Sequence, residues 1–296
     1  MIRLGPAGWS YPDWAGVVYP EPRPRGFDPL AYLTRYFDTI EINSTFYRPP
    51  SAETSRRWAR RVSENARFKF TAKLWQRFTH QRESAWTRDE VDAVRAGLDP
   101  LAEAARLGAV LVQFPWSFKA DAISLEWLSD IVAAFEEYPL VVEVRHASWN
   151  RPQFYEWLGG RRVGFVNIDQ PIFRRSIEPS AKASGRVGYV RLHGRNYEDW
   201  FREDAGRDAR YDYLYERSEL EPWVDRVREL ADGGLVEDVY VVTNNHFRGQ
   251  AVANAVMLSS LIRGRRQNAP GPLLEAFAAP LEGLAEADLG PQGRLL

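Results

Sequence analysis

The chain has 296 residues, a formal net charge of −1, 45% hydrophobic residues and 13% aromatic residues. The balanced charge excludes a strongly basic protein that attracts nucleic acid or membranes through its overall field, although it leaves room for a local basic cleft. Cysteine is absent, which excludes disulfides, thiolate metal sites and cysteine nucleophiles. The N-terminus shows no apolar signal region and no apolar run has membrane-spanning length, so we expect a soluble cytoplasmic protein.

Strand-like segments recur along the whole chain. Each combines β-branched or alternating apolar residues in the pattern of a buried strand. The eight segments are 2–8, 38–43, 67–73, 109–114, 140–149, 163–169, 187–194 and 238–245. The fifth, LVVEVRHASW, shows the design most fully, because aliphatic positions lead to a charged end. Side chains alternate along a strand, so Val141, Glu143 and Arg145 share one face.

Helical segments lie between these strands. Asp28 followed by Pro29 predicts the start of the first helix, which extends to about residue 36. Gly159 and Gly160 predict the end of another helix. That helix covers 151–159, and three further helices are predicted over 88–107, 124–137 and 250–263. Two more are predicted by one end only: one starts near residue 51 and the other ends near residue 231. No convincing helix appears in the link 170–186.

The alternation of eight strands with helices predicts one α/β domain. Its length favours a single closed (β/α)8 TIM-like barrel. A doubly wound open sheet is the less favoured alternative, since no glycine-rich phosphate fingerprint follows the first strand. We expect the barrel over residues 1–264 and, over 265–296, a C-terminal tail that packs on it or is partly ordered. The loop 195–217 after strand seven is too long for an ordinary connection, so we expect a lid or binding segment.

Polar residues concentrate at the carboxyl ends of the predicted strands, where the active sites of such barrels lie. In most strands they share one parity face, and the opposite face is mainly apolar. They are Glu41, Asn43, Lys73, Gln113, Glu143, Arg145, Asn167, Asp169, Arg191, His193, Asn244 and Asn245. Buried polar groups from so many strands are expensive to keep without a use. The pattern therefore predicts a functional site at this end of the barrel.

Four of these residues are candidates for proton transfer. His193 is the best general acid or base, because imidazole ordinarily titrates near neutral pH. Glu41 and Glu143 form a candidate acid and base pair, with Asp169 as a further catalytic candidate. The alternative for each carboxylate is a structural salt bridge that holds the strands in register.

The remaining candidates bind substrate. Lys73, Arg145 and Arg191 predict a site for a phosphate or carboxylate group, which arginine binds in a two-pronged way. Polar and aromatic residues around them are predicted to complete the site or its rim, with plain packing as the equal alternative for the aromatic ones. They are Asn43, Gln113, His146, Asn244, Asn245, Trp9, Tyr47 and Trp149. For His146 a structural hydrogen bond is favoured over catalysis.

Metal binding is not favoured by this pattern. Several carboxylates and histidines at the strand ends are suitable ligands, yet no HxH or HExxH spacing occurs. The basic residues among them repel a cation. Nothing in the sequence therefore requires a cofactor, and the sequence does not identify one. A GxSxG elbow is also absent, so nucleophilic triads find no support.

Several longer motifs resemble the domain-of-unknown-function 72 family, also called YecE-like. They are GWSYPDW (8–14), EINSTFYRPPS (41–51), FKFTAK (68–73), LVQFPWSF (111–118), VEVRHASW (142–149), RLHG (191–194) and NNHFRGQAVANA (244–255). They occur in matching order from about residue 2 to 262. The resemblance implies a TIM-like barrel of uncharacterised activity, and it carries no established catalytic residues.

Three functions are compatible with these observations. The leading hypothesis is an enzyme, a hydrolase or an isomerase or lyase, that acts on a small anionic polar molecule such as a sugar phosphate by metal-independent acid-base chemistry. The second is a nucleic-acid phosphodiesterase of the endonuclease IV type, which needs a divalent metal and rests on fold analogy. The third is a non-catalytic ligand-binding or scaffold barrel. The sequence does not indicate an oligomeric state.

Overall fold

Eight parallel strands form one sheet in the computed structural model, which describes residues 1–200, 202 and 209–288. The strands are β1 Ile2–Pro6, β2 Thr39–Ile42, β3 Lys69–Lys73, β4 Leu107–Gln113, β5 Leu140–Glu143, β6 Gly164–Asp169, β7 Val187–Leu192 and β8 Asp238–Thr243. Consecutive strands are neighbours from β2 to β8, and β1 pairs with β8. All of these ladders are parallel.

The first and second strands bring the sheet round to near closure. Ala7 and Glu41 form a parallel bridge, and the backbone nitrogen of Gly8 donates to the carbonyl oxygen of Glu41 at 2.9 Å. Gly5 permits this approach, because a Cβ there would lie 1.8 Å from the carbonyl oxygen of Thr39. The eight strands therefore form a nearly closed barrel, which confirms the predicted (β/α)8 TIM-like fold.

Helices surround the barrel. They are α1 Pro29–Leu33, α2 Ala52–Arg61, α3 Gln76–Thr79, α4 Arg88–Glu103, α5 Ala122–Ala134, α6 Pro152–Gly160, α7 Arg217–Asp232, α8 Gln250–Arg263, α9 Gly271–Ala276 and α10 Ala278–Leu281. The predicted N-cap at Asp28 is confirmed, since its side chain accepts from the backbone nitrogens of Leu30 and Ala31. None of the described helices is long and apolar enough to cross a membrane.

The fifth strand is shorter than its sequence predicts. Regular strand structure ends at Glu143 instead of continuing to residue 149. The chain then leaves its neighbours and pairs with the link after β6: the backbone nitrogen of Ile177 donates to the carbonyl oxygen of Arg145, and His146 bridges Ser176. The link 170–186 contains no helix, as predicted.

The tail after α8 begins at Gly264, whose left-handed conformation caps that helix. Two short strands, β9 Gln267–Ala269 and β10 Ala285–Ala287, form a small parallel sheet of their own. Leu273 and Leu281 are buried in the hydrophobic core, which places this part of the tail against the barrel's helical layer. The end of the predicted tail, 289–296, and residues 201 and 203–208 of the predicted lid lie outside the described residues.

Candidate functional site

The barrel interior contains an ion-paired centre contributed by β2, β5 and β7. Arg191 is completely buried, and its two terminal nitrogens reach two carboxylates: Nη2 lies 2.7 Å from Glu41 Oε1, and Nη1 lies 2.6 Å from Glu143 Oε2. Both carboxylates are also completely buried. Below them, the Tyr189 hydroxyl lies 2.9 Å from the second oxygen of Glu41 and 2.8 Å from the hydroxyl of Thr71.

The centre is ionised because each charge stabilises its neighbour. Burial alone would raise the pKa of Glu143, but Arg191, His193 and Arg145 together hold that pKa well below its ordinary value. Burial alone would lower the pKa of Arg191, and Glu143 and Glu41 instead raise it. Each charge in this group is hydrogen-bonded to an opposite charge, although Arg191 Nε has no partner among the described residues.

His193 continues the network toward the mouth of the barrel. Its Nδ1 lies 3.0 Å from the side-chain nitrogen of Asn244, and its Nε2 lies 3.1 Å from Glu143 Oε1. Burial, which outweighs the attraction of Glu143, lowers the pKa of His193 to about 3. The ring is therefore neutral near pH 7. Because an amide N–H donates to Nδ1, the ring proton lies on Nε2 and is donated to Glu143.

Arg145 carries the network out to the solvent-facing side. Its Nε donates to Glu143 Oε1 at 3.0 Å, and its side chain is 17% exposed. Its two terminal nitrogens have no hydrogen-bond acceptor among the described residues. The ring of Trp200, which is 7% exposed, lies 5.7 Å from this guanidinium and 6.3 Å from the ring of His193. The ring of Trp200 therefore lies beside both Arg145 and His193.

Lys73 ends β3 at the same mouth and is half-buried. Its ammonium lies 4.4 Å above the ring of Phe46, and it has no hydrogen bond or ion pair to any residue that the structure describes. Burial and the nearby charge of Arg191 lower the pKa of Lys73 to about 7. His80 stacks edge-on against Phe46 at 4.9 Å, and burial, followed by the charges of Lys73 and Arg145, lowers its pKa to about 4.

The structure brings together most of the residues predicted for proton transfer and anion binding. Those connected through direct contacts at the centre are Glu41, Glu143, Arg145, Arg191, His193 and Asn244. Two other candidates bond elsewhere at the strand ends: Asn43 donates to the Tyr11 hydroxyl at 3.2 Å, and Gln113 donates to the carbonyl oxygen of Phe114 at 2.9 Å.

The polar residues of β6 face away from this centre, which differs from the expected arrangement. Asp169 accepts two hydrogen bonds from Arg195, at 2.8 and 2.7 Å, and one from the indole of Trp223 on α7. Asn167 binds the link after β6 through its contact with Ser180 at 2.7 Å. The reason is register: Gly164 pairs with Val141, which shares its face with Glu143, so the opposite parity of β6 faces outward.

Asn245 also faces outward. Its side-chain nitrogen donates to Asn254 on α8 at 2.8 Å and to the carbonyl oxygen of Tyr213 at 2.7 Å. Adjacent Asn244 faces inward to His193, as alternation along a strand requires. Asn245 therefore holds α8 and the end of the long loop in place.

Of the residues predicted to form an aromatic rim, two pack against other aromatic side chains or the backbone and one is exposed. Trp149 is completely buried and donates to the carbonyl oxygen of Phe118 at 2.8 Å. Trp9 packs against Trp58 of α2 at 5.6 Å. Tyr47, by contrast, is 50% exposed. The rim is thus mainly a packed layer on this side of the mouth.

His146 and Gln170 leave polar atoms unpaired beside the site. His146 holds Ser148 through Nδ1 at 2.8 Å, while its buried Nε2 has no partner in the described part of the chain. Gln170 is 2% exposed, and neither its oxygen nor its nitrogen is hydrogen-bonded to a described residue. The parity that turns Asp169 outward turns Gln170 inward. Gln170, Phe46 and His80 are not among the predicted site residues, since their position near the site depends on strand register and loop placement.

No three histidine, aspartate or glutamate side chains converge into a group that could hold a metal ion within the described ranges. Glu41 and Glu143 direct their oxygens to guanidinium nitrogens, and the residues at the mouth supply donors. The charged groups of Arg145 and Lys73 that have no partner among the described residues are therefore hydrogen-bond donors.

The fold and the charged centre together define a TIM-like barrel with a candidate active site at its carboxyl end. The chain belongs to the family described as "Protein of unknown function DUF72", whose model matches residues 3–277. This confirms the resemblance found in the motifs.

Relatives from several bacteria agree with this assignment. The chain is 30% identical over 275 residues to the UPF0759 protein YunF of Bacillus subtilis, which covers 88% of this chain and 95% of YunF. It is 30% identical to the UPF0759 protein YecE of Escherichia coli over 52% of this chain and 50% of YecE. The crystal structure of a DUF72 family protein from Thermotoga maritima is 32% identical, with a TM-score of 0.76 over 89% of this chain and 99% of that one.

Proposed function

We propose that this protein is an enzyme that binds a small anionic, polar molecule, such as a sugar phosphate, at the mouth of the barrel and transfers protons on it. One observation carries the proposal. The terminal nitrogens of Arg145 and the ammonium of Lys73 have no hydrogen-bond acceptor among the described residues. Charged donors that the protein leaves unpaired are available to the oxygens of a phosphate or carboxylate group.

The electrostatics of the mouth favour an anion. Arg191 and its two carboxylates together carry a net charge of −1, which the guanidinium of Arg145 balances, so a protonated Lys73 gives the mouth one positive charge in excess. The lowered pKa of Lys73 is consistent with an excess of positive charge at the mouth, because burial and the neighbouring guanidinium charge both disfavour the protonated amine. A phosphate or carboxylate group bound to Arg145 would relieve this repulsion and satisfy the free donors.

The proposed proton transfer uses groups with different tasks. Lys73, with a pKa of about 7, exchanges a proton readily at neutral pH. Glu143 and Glu41 bind Arg191, and neutral His193 donates to Glu143. These residues therefore fix the positions of the buried charges and the electric field that the charges produce at the mouth. Asp169 lies outside this arrangement, bound to Arg195 and Trp223.

The experiment is a thermal-shift screen of the purified protein against phosphorylated sugars, sugar acids, nucleotides and divalent metals, followed by calorimetry on each ligand that raises the melting temperature. A ligand at about 100 times its dissociation constant stabilises a fold by about 2.7 kcal/mol. We expect an anionic metabolite to bind and Arg145→Ala to weaken it at least tenfold. Arg186→Ala is the matched control, because Arg186 forms an exposed pair with Glu237 at 2.8 Å.

Other outcomes identify the alternatives. Stabilisation by a divalent metal alone would favour the endonuclease IV-like phosphodiesterase, with nucleic acid as its partner. No response from any ligand class would favour a scaffold barrel in which the Glu41–Arg191–Glu143 centre is purely structural. Either result overturns the proposal.

A further inference from the structure

We propose that Lys73 is an amine nucleophile that forms an imine with an aldehyde or ketone carrying a phosphate or carboxylate group. The anionic part of this substrate rests on the proposed function above, whereas the amine chemistry is an addition to it. Three features of the chain support this assignment: the environment of the ammonium group, the distribution of lysine in the sequence, and the position of the guanidinium groups around it.

The environment of Lys73 is suited to an uncharged amine. Its Nζ is paired with no carboxylate in the described part of the chain and instead lies over the face of Phe46. The charges of Glu41 and Glu143 favour the ammonium form, but both carboxylates are hydrogen-bonded to guanidinium groups and neither forms an ion pair with Lys73. Half-buried beside guanidinium charge, the amine has a pKa of about 7, which leaves much of it neutral and nucleophilic at physiological pH.

The use of lysine in this chain points the same way. Of the 39 basic residues only four are lysines, at 69, 73, 119 and 182. The chain uses arginine almost everywhere that a permanent positive charge suffices. Arginine does not lose its proton in proteins, so it cannot supply a nucleophilic amine, whereas lysine shifts its pKa readily when buried.

The other three lysines occupy different environments. Lys69 pairs with Asp238 at 3.4 Å at the opposite end of β3. Lys182 lies 5.9 Å from the ring of Tyr155, and Lys119 is exposed. Lys73, in contrast, ends β3 where the charges of Arg191 and Arg145 act on it.

The reaction balances without an oxidant or reductant. The neutral amine of Lys73 attacks the carbonyl carbon, and the C=O π electrons move to oxygen to give a carbinolamine. Both amine protons pass to that oxygen, which leaves as water while the C=N bond forms. Arg145 holds the anionic group of the same molecule, and the imine nitrogen, once protonated, withdraws electrons from the adjacent carbon. Such an intermediate supports isomerase, lyase or aldol-type chemistry.

The test compares labelling of the four lysines in the wild-type protein. Glycolaldehyde phosphate and neutral glycolaldehyde are each added at pH 7.5 with cyanoborohydride, and the reduced adducts are located by peptide mass mapping. We expect Lys73 to be labelled by the phosphorylated aldehyde at least about tenfold faster than exposed Lys119, since only a small fraction of an ordinary lysine is neutral at this pH. Arg145→Ala should abolish the preference for the phosphorylated aldehyde and leave labelling by the neutral one.

The outcomes separate this inference from the proposed function. Labelling of Lys73 no faster than that of Lys119 with both aldehydes overturns the imine proposal, even where calorimetry shows an anion bound through Arg145. Rapid labelling of Lys73 by both aldehydes, without preference, retains the nucleophile and overturns the anionic substrate. The comparison is made within the wild-type chain, so it does not depend on whether a variant folds. Lys73→Arg serves as a second control, in which the reduced adduct at position 73 should be lost.

Discussion

Glu41 on β2 and Arg191 on β7 form an ion pair of 2.7 Å between two strands that are not neighbours in the sheet. Both side chains are fully shielded from solvent, and the pair joins residues 150 positions apart in the chain. Since Arg191 also binds Glu143 on β5, three separate strands meet at one guanidinium. The interior of the barrel is thus held by charge as well as by apolar packing.

Removing this guanidinium should strongly destabilise the fold. Arg191→Met leaves Glu41 and Glu143 buried without their cation, and breaking a buried pair in this way costs about 3–5 kcal/mol. Urea unfolding of the variant measures the loss. Arg186→Met, in an exposed pair, should change stability by less than about 1 kcal/mol. Equal effects of the two substitutions would contradict a tightly coupled centre.

His193 should remain neutral far below the ordinary histidine pKa. Its folded pKa of about 3 lies below the ordinary 6.5, so between these values the unfolded chain binds the extra proton. The stability that His193 contributes is therefore complete above pH 6.5 and is lost as the pH falls toward 3. Ring NMR signals should not titrate between pH 8 and 5 in the folded protein, but should do so in urea. A folded-state midpoint near 6 would refute this.

Lys73 should make the fold more stable as the pH rises. Its folded pKa is about 7, whereas an unfolded lysine keeps its proton to about 10.5, so the unfolded chain binds the extra proton across this range. Urea unfolding at pH 7, 8 and 9 should show an increase of up to about 1 kcal/mol per pH unit. Lys73→Met should remove this slope, and Lys119→Met should retain it. Parallel slopes in wild type and Lys73→Met would show that the amine is not perturbed.

Trp200 should contribute to ligand binding through Arg145. Its ring lies 5.7 Å from the guanidinium, and a cation–π contact of this type is worth about 0.5–1 kcal/mol. Trp200→Ala should therefore weaken binding of an anionic ligand about threefold to fivefold in calorimetry, and Trp200→Phe should largely preserve it. Trp157→Ala is the control, because Trp157 on α6 makes a similar contact with Arg161, which follows that helix. A larger effect of the control would assign the loss to general destabilisation.

Asp169 should be important for stability and dispensable for ligand binding. It accepts from Arg195 and Trp223 on the outer side of β6, so Asp169→Asn weakens contacts that hold α7 and the long loop. We expect a loss of about 1–3 kcal/mol with an unchanged dissociation constant for the anionic ligand. Glu143→Gln, in contrast, should change both quantities. If Asp169→Asn lost ligand binding and kept its full stability, Asp169 would be assigned to the active site after all.

The sequence predicts the order of strands and helices well, because each segment has a local signal. The alternation in β3 and β7 is visible in the residues themselves, and Asp28 caps α1 as its chemistry indicates. The orientation of Asp169 is not predictable in this way. Parity shows which residues share a face, but only pairing with the neighbouring strand decides which face is inside. The neutrality of His193 likewise depends on burial that arises from tertiary packing.

The segment that carries Arg145 is secured by hydrogen bonds to residues 175–177, in the link after β6. Arg145, which we propose binds the anion, is therefore placed by a connection outside the barrel strands, whereas Arg191 and its carboxylates are placed by strands. Changes in the length or composition of that connection reposition the entrance while the interior charges stay where they are. A substitution in residues 175–177 is therefore expected to alter anion binding more than it alters the stability of the barrel interior.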